Sequence, residues 1–96
     1  VGTAVLPVSV KITSPKNGDT FPPGSSISVS AEATNAMGMS LYMDSKLLAE
    51  KACGMKPTCT ITTTVKPAEG KHEIRAVAWN ALHYAQDRVQ FDVVKD

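Results

Sequence analysis

Gly70-Lys71-His72-Glu73-Ile74-Arg75-Ala76-Val77-Ala78-Trp79-Asn80 is a strictly alternating run, entered through a glycine and left through an asparagine. An extended chain turns successive side chains to opposite faces. Ile74, Ala76 and Ala78 therefore share one side, and Glu73, Arg75, Val77 and Trp79 the other. A strand that is apolar on one side only belongs to a sheet with one wet face, and the run reads as a late strand of a small two-sheet sandwich.

The same period of two recurs on both sides of it. Val8, Val10 and Ile12 alternate with Ser9, Lys11 and Thr13 until Ser14-Pro15-Lys16-Asn17-Gly18-Asp19 supplies turn chemistry. Phe21-Pro22-Pro23-Gly24 reads as a second break, after which Ile27, Val29, Ala31 and Ala33 form an inward row. Met39, Leu41 and Met43 lead through a tight turn at Asp44-Ser45-Lys46 into residues 47–51. Ile61, Thr63 and Val65 alternate with Thr60, Thr62 and Thr64, and Val89, Phe91 and Val93 close the chain as the last inward row. Strands are thus expected at roughly 8–13, 26–34, 39–44, 47–51, 59–65, 71–80 and 86–94, with no helical period anywhere. About seven short strands between turn signals predict an all-β, immunoglobulin-like sandwich of antiparallel strands.

Composition narrows the function. A chain of 96 residues is expected to be one domain, residues 1–96, with a single core and no room for a roofed catalytic cleft. Its net charge of +1, from 10 basic and 9 acidic residues scattered singly, offers no field for a phosphate backbone or an anionic membrane. Nucleic acid and membrane insertion are therefore not expected as partners, and the start of the chain lacks the regions of a signal peptide. Cys53 and Cys59 enclose five residues and can close a small ring, which favours a local disulfide over two free thiols. On the chain-entropy account so small a ring is worth about 2 kcal/mol. Both cysteines fall in one loop, so they are not expected to bridge the two sheets. Zinc is not expected, because no second Cys or His pair stands at ligand spacing, and no cofactor is implied.

Three stretches together resemble a known family. Val10-Lys11-Ile12-Thr13-Ser14-Pro15-Lys16-Asn17-Gly18-Asp19-Thr20, then Leu41-Tyr42-Met43-Asp44, then the opening run are similar to the bacterial Ig-like domains of secreted and cell-surface proteins. In that family an S-P-x-x-G turn follows the first strand, an aromatic-Val-Asp-Gly hairpin the third, and G-x-H-x-L/V-x-V/A-x-A-x-D marks the sixth. Ser45 stands where the family usually has the hairpin glycine, and Asn80 where it often has aspartate. The resemblance implies a non-catalytic accessory domain of a larger exported protein, secreted or on the cell surface, with neighbouring domains as its first partners.

Candidate chemistry is sparse. His72 and His83 have no nucleophile or carboxylate in sequence register, so no enzyme is expected, and His72 is expected to bond across its loop. Asp44, Glu50, Glu69 and Asp87 lie on separate turns and read as solvated charges. Two binding surfaces are expected instead. If the third and sixth strands are neighbours, Tyr42 and Trp79 point outward beside Val77 and Arg75, an aromatic patch suited to a polysaccharide or a cell-surface protein. At one end of the sandwich, Met37, Met55, Leu82, His83 and Tyr84 are expected to emerge together, stiffened by the cysteine ring.

Overall fold

β-Branched residues, alternating polarity and punctuating glycine and proline produce six strands in the computed structural model, which describes residues 7–95, apart from the side chains of Met55 and Lys56. They are β1 (Ser9–Ser14), β2 (Asp19–Phe21), β3 (Ile27–Met43), β4 (Lys46–Val65), β5 (Gly70–Trp79) and β6 (Tyr84–Val93). The fold is an immunoglobulin-like β-sandwich.

Two of the strands are much longer than the alternation suggests. The runs at 26–34 and 39–44 join into β3, of 17 residues, and those at 47–51 and 59–65 join into β4, of 20 residues. The pair forms one hairpin folded over on itself. At the fold Asn35 takes φ +57° and Gly54 φ +66°, and the register slips between Ala36 and Gly38. Below this corner residues 27–34 of β3 pair with 58–65 of β4 and with β1. Beyond it residues 38–43 pair with 46–52 of β4 on one side and with β5 on the other, and β6 and β2 complete that layer. Pairing continues around the corner, so the sequence breaks that separate four strands leave only two.

β2 is the strand that alternation misses. Three residues between Gly18 and Pro22 are too few to show a period, and the partner is remote: Asp19, Thr20 and Phe21 pair in parallel with Phe91, Asp92 and Val93. The turn before it is held by its own polar groups. The Asp19 carboxylate accepts from Lys16 N, and Gly18 N donates to Gln90 O while Gln90 N donates to the Asn17 side-chain carbonyl. β1 belongs to the three-stranded layer and β2 to the other, and the seam between layers is closed by Asp87, whose carboxylate accepts the Ile12 amide at 2.9 Å.

The inward rows meet as one core. Ile27, Val29, Ala31, Ala33 and Ile61 face Met39, Leu41, Ile74, Ala76, Ala78, Phe91 and Val93, all buried. The alanines on both layers allow close approach, and Phe91 carries the bulk, packed edge-on against Phe21 at 5.8 Å and stacked on His72 at 5.5 Å.

The β3–β4 hairpin turns through Asp44 and Ser45, both at positive φ (+51° and +71°), as a two-residue primed turn requires. Aspartate tolerates this region better than serine, and glycine better than either. Ser45→Gly is therefore expected to stabilise the protein by about 0.5–1 kcal/mol, relief of left-handed strain outweighing the added freedom of the unfolded chain. Urea titration checks it: the midpoint rises and the slope stays unchanged.

Candidate functional site

The outer face of the larger layer is assembled by register. Tyr42 lies opposite Arg75, Ser40 opposite Val77 and Gly38 opposite Trp79, and across β5 and β6 Trp79 pairs with Tyr84. Tyr42, Arg75, Val77 and Trp79 therefore do lie on one face, but they are half-buried. The Arg75 guanidinium sits 4.8 Å from the Tyr42 ring centroid, so the cation occupies a ring face that a ligand would need. Trp79 lies across Gly38, so closely that a Cβ at Gly38 would stand 2.7 Å from the indole Cζ2. Ser40 beside it is only 2% exposed and donates to the Glu50 carboxylate at 3.3 Å. The expected flat patch is instead a small second packing layer. Glycine within a strand often marks such a close approach, and Gly38 carried that signal in the sequence.

Exposed apolar groups lie at both ends, Leu47 and Val94 at the His72 end and the most exposed ones at the other. Tyr84 is 74% exposed, Leu82 71% and Met37 45%. His83 is exposed too, whereas the Met55 side chain lies outside the described residues. The two expected surfaces thus adjoin at the Trp79 and Tyr84 pair.

This end is built around two devices. The first is Asn80, 8% exposed, whose side-chain oxygen accepts from Leu82 N (3.0 Å) and His83 N (2.8 Å), an Asx turn that shapes the loop. Its amide donates at 3.1 Å to Asn35 O at the corner of β3, and Asn35 in turn donates to Pro7 O. The second is the disulfide Cys53–Cys59, both residues buried. Cys59 pairs with Ala33 in the three-stranded layer, and Cys53 follows Ala52, which pairs with Gly38 in the other. The ring therefore spans the corner where β4 passes between layers, contrary to the expectation that a bond within one loop cannot tie the sheets.

The opposite end is clamped by His72. One ring nitrogen, Nδ1, is 2.6 Å from Asp44 Oδ2, and the other, Nε2, is 2.6 Å from Ala68 O. Asp44 Oδ1 also accepts Glu73 N. Asp44, Glu50 and Asp87 are thus all engaged in bonds across the fold and are not merely solvated. Because both His72 nitrogens are occupied, the ring has no free position from which to activate a nucleophile.

Burial works against a charged His72, but the Asp44 bond, the Ala68 carbonyl and the charges of Asp44 and Asp92 together raise its pKa above the ordinary 6.5. For Asp44, burial opposes ionisation too, yet the bond from His72, the Glu73 amide and the His72 charge lower its pKa below 3.8. The His72 contribution is therefore complete below pH 6.5 and fades as pH rises through the raised value. The Asp44 contribution is complete above pH 3.8 and fades as pH falls through the lowered value. Chemical denaturation across pH is expected to show a midpoint that declines as the pH rises from 6.5 through the raised His72 value, and His72→Gln should flatten that decline.

Among the described residues no group of three or more His, Cys, Asp or Glu is placed to hold a metal ion. Two shallow recesses, of about 140 and 150 Å³, lie by Gly18 and Lys71 and by Phe21 and Val94. Both fall well short of the roughly 300 Å³ of a small-molecule site. Among the described residues no helix is long and apolar enough to cross a membrane.

Known structures share this architecture. The chain is similar to fibronectin(III)-like modules of Clostridium thermocellum CbhA, with TM-score 0.69 and 22% identity over 90% of this chain and 96% of that one. It is also similar to the sulfur carrier protein SoxY of Chlorobium limicola (TM-score 0.66, 14% identity, 88% and 78% covered). A third likeness is the CARDB domain of a Pyrococcus furiosus protein, solved with di-metal ions (TM-score 0.62, 16% identity, 94% and 93% covered). Among curated proteins none matches the sequence. A model of the bacterial Ig domain matches residues 9–76, a span that ends before Trp79 and Tyr84.

Proposed function

The chain belongs to the bacterial Ig domain family, and from this premise we propose that it is a non-catalytic accessory module of a larger exported protein, a spacer and contact element between neighbouring domains. The observation that carries this reading is where the chain enters and leaves. Pro7 is bonded beside the corner at Asn35, whereas Val94 N donates to Phe21 O at the opposite end, beside the His72 clamp. Entry and exit at opposite ends suit a module threaded in line between others. A buried disulfide accords with an oxidising compartment.

Excision of residues 7–95 from the protein that carries them tests the reading. Turnover of a small soluble substrate by a catalytic neighbour should persist while thermal resistance or action on a surface-bound substrate falls. Loss of turnover with unchanged stability overturns it.

A second reading, attachment to a carbohydrate or a surface partner, is favoured by the exposed Tyr84 ring directly opposite Trp79. Arg75 over Tyr42 narrows that surface to the Trp79 end. Titration with soluble polysaccharides should change Trp79 fluorescence in the parent protein and leave Trp79→Phe silent by calorimetry. Unchanged heat and emission in the parent remove this reading.

A further inference from the structure

β4 borders both layers, and among the described residues only β3 pairs with it. The direction of its backbone groups follows from neighbouring bonds. Thr13 Oγ1 donates to Ser30 O and Ser14 Oγ to Ser28 O, so the even-numbered residues of this half of β3 turn their carbonyls toward β1. The odd-numbered Val29, Ala31 and Ala33 then face β4, and their partners there are Thr63, Ile61 and Cys59. By alternation Thr58, Thr60, Thr62 and Thr64, all exposed, direct N–H and C=O away from the sheet. The Lys51 ammonium confirms this direction, donating from the open side to Thr60 O at 2.8 Å.

Natural edges are blunted by lysines along the edge, as Lys51 does at Thr60, or by proline, a bulge or an inward charge within the strand. Residues 58–65 themselves contain none of these: the sequence is Thr-Cys-Thr-Ile-Thr-Thr-Thr-Val, uncharged and rich in β-formers. The exposed charges of β4 are mostly lysines, and one strand inward the exposed Glu32 lies opposite Thr60. Lys46, Lys51 and Lys66 lie at or just beyond β4 and are exposed, and the one acidic residue of β4, Glu50, is held by Ser40 on the outer face.

We propose that the open edge of β4 over residues 58–65 receives an added strand from a partner, an extended peptide segment with acidic residues at its ends and apolar residues at alternate positions. Backbone bonds to Thr58, Thr62 and Thr64, and to Thr60 once its carbonyl exchanges the Lys51 ammonium for an incoming N–H, supply the register, and the released lysine adds to the charge preference. Two copies of this chain pairing edge to edge would bring the same lysines together, which is why the acidic segment is the favoured occupant.

Amide exchange of the intact protein, followed by NMR, tests this with three synthetic octapeptides of alternating Val and Thr. One carries Glu at both ends, one Lys at both ends, and one is the Glu peptide N-methylated along its bonding edge. The Glu peptide should slow exchange at Thr58, Thr60, Thr62 and Thr64 by about ten-fold at saturation, while both others leave it unchanged. Lys51→Glu should abolish the effect. Absence of protection, equal protection by the N-methylated peptide, or protection arising from protein concentration alone, which marks a second copy as occupant, would each overturn the proposal.

Discussion

Replacing Cys53 and Cys59 together by alanine is expected to lower the free energy of unfolding by about 2–3 kcal/mol. A ring of this size contributes modestly through chain entropy, but its position adds to the effect. The bond holds together the two halves of β4 where the strand passes from one layer to the other, and both cysteines are buried. The loss should be uneven. Amide exchange should accelerate most in residues 33–38 and 52–59, and least in β5 and β6, whose ladder does not pass the corner. Calorimetry of the double variant measures the total. A uniform acceleration would mean that the bond acts only on the unfolded chain.

Asn80→Asp is expected to cost about 2 kcal/mol, despite being nearly isosteric. The carboxylate can still accept from Leu82 N and His83 N, but it cannot donate to Asn35 O. It also places a charge, 8% exposed, against that carbonyl. The variant has a distinctive pH signature. Protonation restores a donor, so the folded state raises the carboxyl pKa, and the deficit relative to the parent should shrink as the pH is lowered toward about 4. Asn80→Ala, which loses the bonds to Asn35 O, Leu82 N and His83 N together, should be destabilised at every pH. Parallel denaturant titrations of the two variants separate the contributions.

Alternation alone made the sandwich legible, because a sheet wet on one side writes its period into the sequence; Ile74, Ala76 and Ala78 are fully buried where the pattern places them. The pairing of Cys53 with Cys59 was legible for the same local reason. What escaped depends on residues distant in sequence. Asp87 bonds Ile12 across 75 positions, and no local pattern sets it apart from the other acidic residues. β2 exists because β6 offers an edge, and its three residues carry no period. The corner escaped because Asn35 looks like a strand terminator, while pairing on both sides carries the strand through its left-handed φ. The patch around Tyr42 and Trp79 was placed on the correct face, but its covering was not visible, since cation–π contact and indole packing are set by rotamers.

The parallel joining of β2 to β6 bears on how such a module carries load. Tension entering at Val8 and leaving at Val94 drags these two segments lengthwise in opposite senses, so their rungs are strained simultaneously, as in a glued lap joint. Antiparallel segments peeled from one end would yield rung by rung. A module threaded in line gains toughness from that arrangement even where its equilibrium stability is ordinary.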